Sequence, residues 1–355
     1  MKQPTRFILS ALISVSVPLV FAGGAAAKVV VVSTTIQAAV DLAVTGDTVR
    51  VPPGIYHENV RVTKNGLTID GAGGAVMDGS GLAGETGILV AAALPAGKIE
   101  GFRLTGLSIR NYKENGVLLD GVNHFSVSHG KYTNNHEYGI FPVHSSNGQI
   151  EFNEVSGSND TGIYIGQSSD VVIEHNQASD CTVGIEVENS SRVNVRGNTA
   201  VLNSTGILVD VLPGLDVTAT ADVTVTDNVL SGNNRPNPIA DPTDLLAQLP
   251  SGIGLLNLGG DQVLVGNNVV MQNNTAGIIV IQLPPPVASL DGRIDPIPDY
   301  NQIRNNVVLQ NGGKPDPKLA PLPASDLIWD GSGTQNCWAG NIFKTAFPAL
   351  PGCLN

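Results

Sequence analysis

An all-β solenoid, a right-handed parallel β-helix, is the fold that three features of this 355-residue sequence predict. First, seven segments open with Gly and a β-branched residue, at Gly116, Gly139, Gly162, Gly184, Gly206, Gly252 and Gly277, and the first five are spaced by 23, 23, 22 and 22 residues. A period of this length marks stacked repeats. Second, each segment alternates apolar and polar residues as a strand does, and no helical stripe of comparable strength follows residue 45. Third, 41 Gly, 5% aromatic and 14% charged residues suit stacked coils better than a two-layer domain.

Residues 1–27 have the make-up of a signal peptide: Lys2 and Arg6, an apolar run over 7–21, then Ala25, Ala26 and Ala27 before Lys28. The mature chain, 28–355, is expected to be one periplasmic or secreted domain. Losing Lys2 and Arg6 takes the formal charge from −12 to −14. An acidic body argues against nucleic acid as a partner. No other apolar stretch is long enough to span a bilayer, so membrane insertion is not expected.

The regular repeats run over 116–311. Val117, Ile140, Ile163, Ile185, Ile207, Ile253 and Ile278 form one apolar column, and Leu119, Pro142, Ile165, Val187, Val209, Leu255 and Val280 the next, so both are expected to face inward. The residues between them face out. Asn recurs at 153, 176, 198, 228, 268 and 306, and again at 203, 233, 273 and 311. Such columns are expected to hold tight turns, where Asn tolerates left-handed backbone, and to ladder their amides between coils.

Three inserts interrupt the period, at 212–222, 234–251 and 283–300, and all flank the first strand of the repeat, where solenoid insertions build a binding side. Residues 312–355 are expected to cap the open end, with a Cys337–Cys353 disulfide formed in an oxidising compartment. Cys181 is left over as a small buried residue.

The run TTIQAAVDLAVTGDTVRVPPGIYHENVRVTKNGLTIDGAGG, 34–74, resembles the entry segment of the pectin-lyase-like superfamily. That resemblance implies a short capping helix from Ile36 to Leu42 over the first coil. YGIFPVHSS, TGIYIGQSS, VGIEVENSS and TGILVDVLPGL resemble the uncharacterised bacterial envelope proteins with parallel β-helix repeats. Membership implies no set activity, but it implies an envelope partner, including proteins with c-type haem domains. YGIFPVHSS is also loosely similar to a mannuronan-epimerase stretch, which makes Tyr138 and His144 catalytic candidates, although Phe141 and Ser145 stand where acids would be.

Between Lys131 and Arg192 there is no Lys or Arg, while nine Asp and Glu residues fall inside the gap. Glu186 and Glu188 lie two apart on one strand and share a face. Asp210 falls in the column of Glu188 one coil later, which should bring the two carboxylates to roughly 5 Å. Three roles are open to this trio: a solvated acidic patch, a calcium site, or a carboxylate acid and base pair spaced about 5–9.5 Å across a sugar. Phe141 and Tyr164 precede Glu186 in the outward row and suit stacking on a sugar ring. His144, Gln167 and Asn189 continue a polar column at the strand's end, and Gln167 and Asn189 are taken with the two aromatics as substrate-binding. A transition-metal site is disfavoured, because His129 and His175 are two coils apart with Phe152 between them.

Together these features lead to an exported β-helix that binds a polysaccharide along its first-strand face, around Phe141 to Asp210; whether it also processes that polymer, as a lyase, epimerase or glycoside hydrolase would, is left open by the sequence. The alternative is a non-catalytic envelope scaffold that docks a protein partner.

Overall fold

The computed structural model describes residues 27–94 and 97–354. The signal peptide expected at 1–27 lies outside the described residues apart from Ala27. The helix at Ile36–Leu42 is present and closes the first coil with Ile36, Ala39 and Val40. A seven-residue helix needs help at its N-terminus, where N–H groups lack intrahelical partners. Thr35 Oγ1 accepts from Ala38 N at 3.1 Å, and the two oxygens of Glu58 accept from Ile36 N at 2.8 Å and Gln37 N at 2.9 Å.

From there the chain climbs in parallel coils. One parallel sheet of eleven strands among the described residues runs from Val60–Val62 to Ala346–Phe347, and the remaining strands form the other walls. Ile140 pairs with Ile163, Ile163 with Ile185 and Ile185 with Ile207, and all four are fully buried inside the coil. Each such side chain contributes about 1.5–3 kcal/mol by leaving water.

The register departs from the sequence expectation at one coil. Ile207 pairs with Leu255 rather than Ile253, and Leu255 with Ile278, so this repeat opens at Gly254, two residues later than Gly252. Asn257 then takes the inner position expected of Leu255, and its amide is satisfied by Gly260 N and O at 2.9 and 3.0 Å. Ile253 faces away from the lumen, into a second apolar cluster outside the sheet. The 234–251 insert had blurred the phase, and two Gly-Ile-like starts competed.

Both Asn ladders form. Asn153, Asn176, Asn198, Asn228, Asn268 and Asn306 each donate Nδ2–H to the next Oδ1 at 2.9–3.1 Å, and Asn341 ends the series. Asn203, Asn233, Asn273 and Asn311 do the same and finish on Asp326 Oδ1. The left-handed residue, however, is the one before each first-ladder Asn: Phe152, His175, Gly197, Asp227, Asn267, Asn305 and Gly340 have φ of 55–66°. The ladder Asn is selected by its amide alone. Cys181 fills the second-ladder position of its coil, fully buried, with its N–H on Asn203 Oδ1 at 2.9 Å.

The end of the chain differs from a cap beginning at 312. Residues 313–324 leave the barrel as a fourth insert, and the sheets resume with Ser325–Trp329 and Cys337–Ala339. Cys337 and Cys353 are bonded, as expected.

Candidate functional site

The outer face of the eleven-stranded sheet carries two columns. One runs Phe141, Tyr164, Glu186, Leu208, Leu256, Ile279; the other runs Val143, Gly166, Glu188, Asp210, Leu258, Ile281. These side chains point away from the lumen, as the alternation requires. They do not meet solvent: Tyr164 is 8% exposed, Glu186 2%, Glu188 6% and Asp210 2%. The solvated acidic patch, one of the three roles open to the trio, is corrected here, because the inserts lie over this face.

The cover consists of two clasped pairs. Gly214 N donates to Asp291 Oδ2 at 3.0 Å and Arg293 Nη2 to Leu215 O at 3.1 Å, which ties 212–222 to 283–300. Ser251 N donates to Asp316 Oδ2 at 3.0 Å and Lys318 Nζ to Ala247 O at 2.7 Å, which ties 234–251 to the fourth insert. Between the pairs and the sheet lies a pocket of about 410 Å³. Tyr138, Asp160, Tyr164, Glu186, Glu188 and Asp210 line one end; leucines of the sheet and of the inserts line the other.

Glu188 Oε1 accepts from the Tyr164 hydroxyl at 2.5 Å, a short bond of the charge-assisted kind. Gly166 makes this possible: a Cβ there would stand 2.5 Å from Tyr164 Cε1 and 3.0 Å from its hydroxyl oxygen. Thr161 Oγ1 is hydrogen-bonded both to Glu186 Oε2 and to Asp160 Oδ1. Thr161 has one hydroxyl hydrogen to share between the two acids, and a proton on either acid would complete both bonds. Asp210 Oδ1 is buried without a hydrogen-bond partner.

Electrostatics agree with protonation. Burial, then the charges of Asp210, Asp160 and Glu188, push the Glu186 carboxyl well above the usual range. Burial and then Glu188 and Asp160 do the same to Asp210. Burial raises Glu188 against the Tyr164 bond that lowers it, and burial raises Asp160 to about 7 despite Thr161 and Tyr138. The Tyr138 and Tyr164 hydroxyls are raised by burial and then by these same acids, so they are donors at neutral pH.

Glu186, Glu188 and Asp210 each bring an oxygen within 4.8 Å of the others, so the proximity expected of the trio is present. An all-oxygen set with one unmet acceptor fits calcium, and these three residues would be its ligands, the bound charge serving to keep them ionised.

The other candidates divide. Tyr138 lines the pocket. His144 does not: it is exposed at the far end of its strand, with Nδ1 3.3 Å from Asp120 Oδ1. Phe141 packs its ring against Tyr138 at 4.6 Å and Tyr164 at 4.7 Å, and so backs the two tyrosines instead of offering a free stacking face. Asn189 is fully buried, with its amide spent on Leu212 N and O and Val217 O; Gln167 Oε1 accepts from Asp216 N at 3.0 Å. Both anchor the 212–222 insert, because a polar column beside an insertion is where the departing chain finds its hydrogen bonds. Sequence reading left out Asp160 and the leucines. Asp160 stands two residues before Gly162, as Glu137 does before Gly139, which was the available signal; the inserts have no periodicity to read.

The sequence matches the description "Right handed beta helix region" over residues 54–211 and 115–285. The chain belongs to that family. Its right-handed parallel β-helix is the fold that the repeats predict. Similar solved structures include the A-module of an Azotobacter vinelandii mannuronan C-5 epimerase, at 17% identity over 86% of this chain and 82% of that one, TM-score 0.66. A periplasmic alginate epimerase follows at 15% identity, 84% and 78% coverage and TM-score 0.57. An Arthrobacter chlorophenolicus DFA-IIIase, solved without its lid in complex with GF2, aligns at 13% identity, 86% and 89% coverage and TM-score 0.55. At these identities the likeness is one of fold. No curated protein sequence matches. Among the described residues, no helix is long and apolar enough to cross a membrane.

Proposed function

We propose that this β-helix protein binds a neutral saccharide in the pocket over its eleven-stranded sheet and handles protons on it through Glu186, Glu188 and Asp210 with Tyr164 and Tyr138. The observation that carries this reading is a cluster of buried acids and phenols held together without a neighbouring guanidinium, inside a pocket. Protonated acids and phenols donate to sugar hydroxyls, and an acid of raised pKa is suited to general acid catalysis near neutral pH. A mannuronan C-5 epimerase module and a periplasmic alginate epimerase share the fold, which supports a carbohydrate ligand. The lining turns the choice toward neutral sugars: it holds five carboxyl side chains, Asp160, Glu186, Glu188, Asp210 and Asp244, against the single ammonium of Lys318, which is bonded to Ala247 O, so the carboxylates of a polyuronate would find little counter-charge there. The covered face favours a chain end or short saccharide over the middle of a long polymer. Export belongs to the same reading and is supported by the Cys337–Cys353 bond, which requires oxidising surroundings.

The test is a glycan array with the mature chain, followed by calorimetry on the best ligand. Glu188→Gln is expected to weaken binding by about tenfold or more, which is about 1.4 kcal/mol. Absence of any sugar preference, with Glu188→Gln indistinguishable from the native chain, would favour the scaffold alternative.

A further inference from the structure

We infer that the saccharide recognised here carries an uncharged apolar group, an alkyl, acyl or aryl substituent, and that this group occupies the end of the pocket opposite the acids. The inference rests on the saccharide reading above and names its substrate class.

The two outer columns change character one coil apart. Glu186 is followed by Leu208 and Leu256, and Asp210 by Leu258 and Ile281. The roof repeats the change. Leu283 and Val287 descend from one clasped pair, and Leu246, Leu249, Leu319 and Leu322 from the other, onto the same end of the pocket. A cover serving only to protect the sheet would close onto it, whereas here apolar side chains from several separate segments share with the acids one open space of about 410 Å³. That is within the roughly 300–1,000 Å³ of small-ligand sites.

A second sugar ring would fit this end badly. Its polar side chains are few: Lys318 Nζ gives one of its N–H groups to Ala247 O and Gln248 Nε2 donates to Pro242 O, and the leucines around them offer none, so most of the ring's hydroxyls would be buried without partners and their desolvation uncompensated. A hydrocarbon group has no such requirement and gains by leaving water. A phosphate linkage between sugar and hydrocarbon is disfavoured by the adjacent acids, which leaves a neutral glycoside or ester.

The experiment compares methyl, hexyl and octyl glycosides of glucose, galactose and mannose, each below its micelle concentration, by calorimetry on the mature chain, with 1-octanol as a sugar-free probe. For the sugar that binds, the octyl compound is expected to bind at least tenfold tighter than the methyl compound. Val287→Trp enlarges a half-buried roof residue into the apolar end; it should abolish that gain and leave the methyl glycoside unaffected. Leu249→Trp blocks from the opposite wall and replaces it if the first variant does not fold. Glu188→Gln should weaken methyl and octyl compounds alike. Equal affinity for methyl and octyl glycosides would overturn the inference and leave the saccharide reading standing. A gain that survives both tryptophan variants would also overturn it, since the chain would then lie elsewhere. If 1-octanol binds as tightly as the octyl glycosides, the sugar contributes nothing and the saccharide reading falls with it.

Discussion

At Glu186, burial and the charges of Asp210, Asp160 and Glu188 act in one direction, and the same holds for Asp210 with its own neighbours. The folded protein therefore keeps protons that the unfolded chain, with carboxyls near pKa 4, has already released. Where the native state binds more protons than the unfolded state, stability falls as pH rises. The stabilisation is complete below about pH 4 and is lost as pH passes the raised folded values, among them about 7 for Asp160. In chelator-containing buffer, Tm is expected to fall between about pH 5 and pH 8, and Glu186→Gln to flatten that slope and raise Tm at the alkaline end. Calcium should restore Tm at pH 8 and do little at pH 5, where the ligands are protonated. Differential scanning calorimetry at fixed ionic strength decides the matter: a flat profile, indifferent to calcium, would mean that the acids are ionised and compensated. The approach of Glu188 to Asp210 was legible in sequence, because a parallel ladder with a constant period fixes which residues stack. Their burial was not legible, since it is imposed by loops that follow no period.

The Asn ladders show what one element of the repeat contributes. Asn198 accepts both the N–H and the side-chain Nδ2–H of Asn176 and passes its own Nδ2–H to Asn228. Asn198→Ala leaves the buried backbone N–H of Asn176 unmet, at about 1–3 kcal/mol, while Asn176 Nδ2 keeps Ile150 O and Glu174 O, so the stability measured by unfolding in urea should fall by about that amount with little change in m. Cys181→Asn, which restores the ladder residue in its coil, should be neutral or stabilising by the same measurement. The columns themselves were plain in the sequence, yet the reason for them was only half so. Side-chain identity reports the amide ladder, while the left-handed conformation falls on preceding residues as different as Phe152, His175 and Asp227. Gly252 was misleading for a related reason: two nearby Gly offered starts, and only pairing of Leu255 with Ile207 and Ile278 distinguishes them.

Across the whole molecule the β-helix supplies a rigid floor, and four inserts supply the walls. A solenoid coil ordinarily senses only its neighbours. The clasps break that rule by joining residues 77 positions apart at Gly214 and Asp291, and 65 apart at Ser251 and Asp316. Asp316→Ala removes the acceptor for Ser251 N and Lys318 N. Faster hydrogen exchange is then expected in 236–251 and 313–322, with the strands of the floor unchanged; equal protection in native and variant chains would show that the clasp contributes nothing to holding the roof. The period revealed the floor, and the Pro-rich interruptions revealed three of the four walls; the fourth was hidden inside what resembled a terminal cap. Because each wall leaves and rejoins the ladder between strands, its length and wording are free of the register that the inward Ile and Val residues enforce. Selection can exchange one loop for another, and with it the company the acids keep, while the coil that carries Glu186 and Glu188 stays as it is.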